Sequence, residues 1–192
     1  LVLLLHLNKL FQKLPETDAH HERWTLDRAT GANVEKMLAG VTADLEKDKQ
    51  TVSEDALYAL AARNASEVLG QIPERHVLEA YLATSKMLQK NPYGEYGLVS
   101  WPTISPTGVK DKAYAALAKS SQPLHFRQVA EAINAAGWSR KKAHPQTVHN
   151  ELIKDKRFVL VGRGLYGLAQ WGFEAGAVAE VRMRVVHGRR AM

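Results

Sequence analysis

The chain has 192 residues, 45% hydrophobic and 24% charged, with no cysteine; it can bury one good core or two small ones and excludes disulfides, zinc–thiolate and iron–sulfur sites and thiol nucleophiles. Its net charge of +6 is unevenly spread: residues 1–104 hold 11 Lys and Arg against 14 Asp and Glu, and residues 105–192 hold 15 against 6. The +9 of the second half attracts polyanions, which puts nucleic acid first among partners and an anionic membrane surface second.

From Leu1 to Leu14 the apolar residues Leu3, Leu4, Leu7, Leu10, Phe11 and Leu14 recur at helical spacing, and Pro15 ends the pattern. The opening run lacks a basic flank and a cleavage signal. It falls short of the ~20 apolar residues that span a bilayer, so it reads as a helix continuing from a longer polypeptide, with no membrane partner. After a polar stretch from Glu16 to Trp24, Thr25 or Asp27 caps a helix carrying Val34, Leu38, Val41 and Leu45. Ser53, followed by Glu54 and Asp55, starts another helix, because a hydroxyl and early carboxylates satisfy first-turn amides. Leu57, Leu60, Ala61, Ala65 and Val68 fill its stripe and Gly70 stops it. Pro73 and Glu74 open a further helix through Val77, Leu78, Tyr81, Leu82, Ser85 and Leu88. Residues 1–90 therefore read as a helical domain without strands, and residues 91–104, rich in Asn, Pro and Gly, as a linker whose Tyr93, Tyr96 and Trp101 pack onto a neighbour.

Residues 105–172 read differently. Ser105 or Thr107 caps a helix to about Lys119 with Val109, Ala113, Ala116 and Leu117 inward, and Leu124-His125-Phe126 is a short strand. Arg127 to Ala136 forms a second helix on Val129, Ala130 and Ile133, ended by Gly137. Pro145 takes the first position of a third helix reaching Lys154. Phe158–Val161 and Leu165–Ala169 make a hairpin across Gly162-Arg163-Gly164. Helix, strand, helix, helix, hairpin is the winged helix-turn-helix order, so the fold class is mainly α with a small β-hairpin. Residues 173–192 are a basic tail or the start of another helix.

The segments SPTGVKDKAYAALAKSSQPLHFRQVAEAIN and HPQTVHNELIKDKRFVLVGRGLYGLAQWG resemble the HARE helix-turn-helix family over about a third of the chain. That family is found in the delta subunit of bacterial RNA polymerase, in Asx-related chromatin proteins and fused to restriction enzymes. The whole arrangement also resembles bacterial proteins that place a sigma-like region 4 ahead of such a module. The resemblance implies a cytoplasmic transcription protein that binds double-stranded DNA, accessory to RNA polymerase or a sigma-like component of it. Its alternative is a protein-interaction module that docks on the polymerase without reading sequence. A specificity module for a nuclease would need catalytic residues that this chain does not contain.

In such a fold Val148 and Leu152 anchor the third helix over Phe158, Val161 and Tyr166, while Gln146, Thr147, Asn150 and Lys154 point outward. Gln and Asn can pair bidentately with adenine; equally, they are what a solvated helix face carries. Arg140, Lys141 and Lys142 before that helix, and Arg163 between two glycines, can neutralise phosphates, and His144 borders the same helix. Arg127 sits at the unfavourable end of a helix dipole, which calls for a phosphate partner or an ion pair with Glu131 or Glu151. His144 with His149 and His20 with His21 lack a second ligand pair at metal-site spacing, and His125 reads as a packing residue. No nucleophile elbow, metalloprotease helix or phosphate-binding loop is present, so neither catalysis nor a cofactor is expected.

Overall fold

A computed structural model of the protein describes residues 10–173. The chain separates into two compact units that divide between Pro106 and Thr107. Among the described residues there are six α-helices and seven short strands.

The first unit opens with a hairpin of β1 (Gln12–Leu14) and β2 (Arg23–Thr25), paired antiparallel with Lys13 opposite Trp24. The helix expected to run through Leu10, Phe11 and Leu14 is therefore a strand at its described end, and its earlier part lies outside the described residues. Three apolar residues at spacings of one and three fit either period, and pairing with a partner strand decided between them. α1 (Arg28–Asp48) begins where the Asp27 side chain accepts from the Thr30 amide, and it buries Val34, Met37, Leu38, Val41 and Leu45. α2 (Glu54–Leu69) begins under Ser53, whose hydroxyl oxygen accepts from the Ala56 amide, and ends at Gly70 in the left-handed conformation. α3 (Arg75–Ala83) buries Leu78 and Leu82. It stops at Ala83, short of the Leu88 its pattern suggested. Gly40 on α1 is required by close packing, because a β-carbon there would overlap the Asn64 amide of α2.

The stretch expected to be a linker is instead part of this unit. β3 (Leu88–Lys90) and β4 (Tyr96–Leu98) form a second hairpin, tied back by the Val52–Tyr96 bridge. Leu98 and Ile104 are buried, and Tyr96 and Trp101 pack against the core formed by the three helices. Asn91, itself buried, organises the turn: its Oδ1 accepts from the Tyr93 and Glu95 amides and its Nδ2 donates to the Thr103 carbonyl. Turn-forming composition alone cannot separate such a closed turn from a tether.

The second unit contains α4 (Val109–Ser120), β5 (Leu124–His125), α5 (Phe126–Ala136), α6 (Pro145–Lys154), β6 (Phe158–Gly162) and β7 (Leu165–Leu168). Its strands form one antiparallel sheet in the order β5-β7-β6. The core joins Ala113, Ala116 and Leu117 of α4, Val129, Ala130 and Ile133 of α5, Val148 and Leu152 of α6, and Phe158, Tyr166 and Leu168 of the sheet; Val161 is buried as well. Gly108, not Ser105 or Thr107, caps α4. The Thr107 hydroxyl donates to the Asp111 carboxylate instead, a charge-assisted hydrogen bond.

Asp111 belongs to a compact ion cluster. Arg157 donates to Asp111 at 2.8 Å and to Asp155 at 2.7 Å, joining the start of α4 to the entry of β6. Burial alone would raise the Asp111 carboxyl, but hydrogen bonds from Arg157 and Thr107 outweigh it and hold it below the usual carboxylate range. Hydrogen bonds from the Arg157 side chain hold Asp155 low as well.

Candidate nucleic-acid interface

Three segments of the second unit carry the basic and polar residues singled out from the sequence: the start of α5, the loop and helix around α6, and the β6–β7 turn. Each is fixed by hydrogen bonds.

α5 and α6 begin in the same way, on a histidine. His125 Nδ1 accepts from the Arg127 amide, while the Gln128 side chain accepts from the His125 amide, a reciprocal capping box. His144 Nδ1 accepts from the Gln146 amide, and Pro145 fills the first helical position, where a missing N–H costs nothing. Both caps require an unprotonated Nδ1. Histidine is not among the usual cap residues, so the sequence carries no signal for the capping role that His125 adds to its packing on Phe126.

The basic loop before α6 is braced from α5 and α4. The Asn134 side chain donates to the Ala143 carbonyl and accepts from its amide at 2.7 Å. Lys112 donates to the Ser139 hydroxyl, which donates to the Lys141 carbonyl. Arg140, Lys141 and Lys142 are exposed on this loop, and their charged groups have no ion-pair partner among the described residues.

The β6–β7 turn is anchored to the start of α5. Phe126 donates its amide to the Gly164 carbonyl at 2.9 Å, extending the pairing of β5 with β7. Gly164 is held at φ +68°, and a β-carbon there would press on His125 and Phe126; only glycine suits this place. Rings continue the anchor inward: His125 to Phe126 at 4.3 Å, Phe126 to His149 at 4.6 Å, and His149 to Tyr166 at 5.8 Å between centroids. The Tyr166 hydroxyl lies 3.1 Å from His149 Nδ1, and burial pushes its phenol up. His149 is thus a packed member of this stack. Among the described residues no group of three or more His, Cys, Asp or Glu is placed to hold a metal.

All ten residues singled out from the sequence are exposed: Arg127, Arg140, Lys141, Lys142, His144, Gln146, Thr147, Asn150, Lys154 and Arg163. They are not equally free. Gln146 donates to Asn150 across one helical turn at 3.3 Å, so the two amides suited to base edges partly satisfy each other. Lys154 lies 3.7 Å from Glu151. Arg127 pairs with neither Glu131 nor Glu151, and its guanidinium lies 6.0 Å from the Phe126 ring. Arg163 has no acidic partner among the described residues. The outward side of α6 also carries Ile153, 63% exposed, and Leu160 of β6 is 46% exposed.

Of the four carboxylates between residues 107 and 173, Asp111 and Asp155 are spent on Arg157 and Glu151 faces Lys154. Eleven Lys and Arg occupy the same span. Such a surface is suited to meeting regularly spaced negative charge.

Residues 108–171 match the model of the HARE-HTH family, described as a helix-turn-helix domain of ASXL and restriction endonuclease proteins. No curated protein and no solved structure matches the chain.

Proposed function

We propose that residues 108–171, a HARE-HTH domain by the family model they match, hold duplex DNA mainly through its phosphate backbone, as the helix-turn-helix character of that family supports. The observation that carries the proposal is the unpaired cationic group of Arg127, Arg140, Lys141, Lys142 and Arg163 on three braced segments of one small unit. In this reading the unit is a winged helix whose wing is the β6–β7 hairpin, and α6 is the helix offered to the major groove. Phosphate contacts set affinity and orientation. Gln146, Thr147, Asn150 and Lys154 stand where base edges would be met. Because Gln146 and Asn150 already share a hydrogen bond, sequence preference is weak beside the electrostatic attraction. His144 places its outer nitrogen at the same helix start.

The cellular setting follows by resemblance: a cytoplasmic transcription protein working beside bacterial RNA polymerase or a sigma-like region. One observation favours the alternative of a docking module on the polymerase. Ile153 and Leu160 are exposed on this unit, and apolar residues of this size serve a protein partner better than a phosphate backbone.

Titration of a random-sequence duplex with the full chain across a salt series tests the proposal. Wild type is expected to bind with a steep salt dependence. The variant Arg140→Glu/Lys141→Glu/Lys142→Glu is expected to lose at least about tenfold in affinity and up to about three units of slope. Identical curves for the two proteins would refute it.

A further inference from the structure

Resting on that reading, we infer that Arg127 and Arg163 act as one clamp on a single phosphate, joined by the hydrogen bond between Phe126 and Gly164. The two arginines are far apart in the chain. They leave the backbone on either side of one contact, because Arg127 follows Phe126 and Arg163 precedes Gly164, and Phe126 donates to the Gly164 carbonyl at 2.9 Å.

That contact is fixed from both sides. Gly164 is seated against the Phe126 and His125 rings closely enough to exclude a β-carbon, and the His125–Leu165 pairing holds the strand beside it. The Arg127 guanidinium lies 6.0 Å from the centroid of the Phe126 ring, the residue whose amide is bonded to the turn that carries Arg163. His125 and Gln128 already occupy the end of α5, so the helix terminus itself is not the anion site.

The charge arrangement points to an anion. Arg127 sits in the first turn of α5, where the helix dipole disfavours a cation, next to a turn bearing a second cation. Neither carboxylate the sequence offers it is paired with it: Glu151 faces Lys154, and Glu131, one turn along α5, forms no ion pair with Arg127 among the described residues. Two exposed guanidinium groups carried on adjoining backbone segments, neither with a carboxylate partner among the described residues, repel each other where their side chains approach. A phosphate oxygen pair placed between them removes that repulsion and gains charge-assisted hydrogen bonds from both. The loop cations Arg140, Lys141 and Lys142 lie on a different segment, the loop before α6, and the clamp is a separate contact from theirs.

The clamp makes the two arginines non-additive, which independent phosphate contacts are not. The full chain is compared as wild type, Arg127→Gln, Arg163→Gln and the double variant, by binding of a short random-sequence duplex across a salt series. Each single variant is expected to keep a salt slope close to wild type, because the remaining arginine still meets the phosphate, and the double variant is expected to make the slope shallower by about one unit, since only then is that one phosphate lost. Single variants that each lose about one unit with a double variant losing about two, or a double variant with the wild-type slope, would overturn the clamp while leaving DNA binding intact. A wild-type chain that binds no duplex would remove the functional reading and the clamp with it.

Discussion

The two units handle their cations in opposite ways. In the first, most of the described basic side chains are bound to carboxylates of the same unit: Lys13 to Glu22, Arg23 to Glu35, Arg63 to Asp44, Arg75 to Glu54 and Asp55, Lys86 to Glu16, and Lys90 to Glu54. Arg75 and Lys90 also lie over the Tyr58 and Tyr96 rings. In the second unit, Arg157 takes two carboxylates for itself, and Arg127, Arg140, Lys141, Lys142 and Arg163 are left with none. A net charge describes neither arrangement. Positive charge that is spent internally holds a fold together, whereas positive charge that is left over can act on something outside it.

The largest expected effect breaks this comparison at its exception. Arg157→Met removes the shared cation and leaves Asp111 and Asp155 without their partner. A fully buried pair broken in this way costs about 3–5 kcal/mol. With the Arg157 side chain 33% exposed, about 2–3 kcal/mol is expected, read from faster hydrogen exchange of α4 amides. The same cluster sets an acid limit. Both carboxyls are held below their ordinary value of 3.8, so their stabilising contribution is complete above that pH and is lost as pH falls through the lowered values. The second unit of the wild type should therefore weaken as pH falls below about 4, and in Arg157→Met that unit should lack most of the step.

The smallest effect sharpens the comparison in the first unit. Arg63→Gln deletes an exposed pair with Asp44, and the expected loss is under about 1 kcal/mol, measured by thermal unfolding. Duplex affinity should not change, because that charge was already balanced. A drop in affinity would erase the distinction between spent and free cations.

Much of the second unit can be read from its residues because its signals are local. Pro145 at a helix start, Gly137 at a helix end and a Gly-Arg-Gly turn between two apolar runs each specify their structure within a few positions. Asp27 and Ser53 do the same for α1 and α2. The unread features depend on partners distant in the chain. β1 and β2 are three residues each, too short for alternation to declare itself, and Asn91 turned an apparent linker into a folded hairpin through bonds reaching Thr103. At the candidate interface, the exposure of Gln146, Thr147, Asn150 and Lys154 follows from helical spacing, and that of Arg163 from its turn between two glycines. The supports of that interface do not, since two histidine caps, the Asn134 brace and the Phe126–Gly164 bond join residues whose types carry no such message.

The central claim is that the face made by the basic loop, α6 and the β6–β7 turn is where a duplex sits. Backbone amide resonances of the full chain, followed during addition of a short duplex, test it directly. The account predicts shifts concentrated at residues 125–127, 139–150 and 162–164, with the helices of the first unit unmoved. Shifts confined to the first unit, or no shifts at salt low enough for binding, would contradict it.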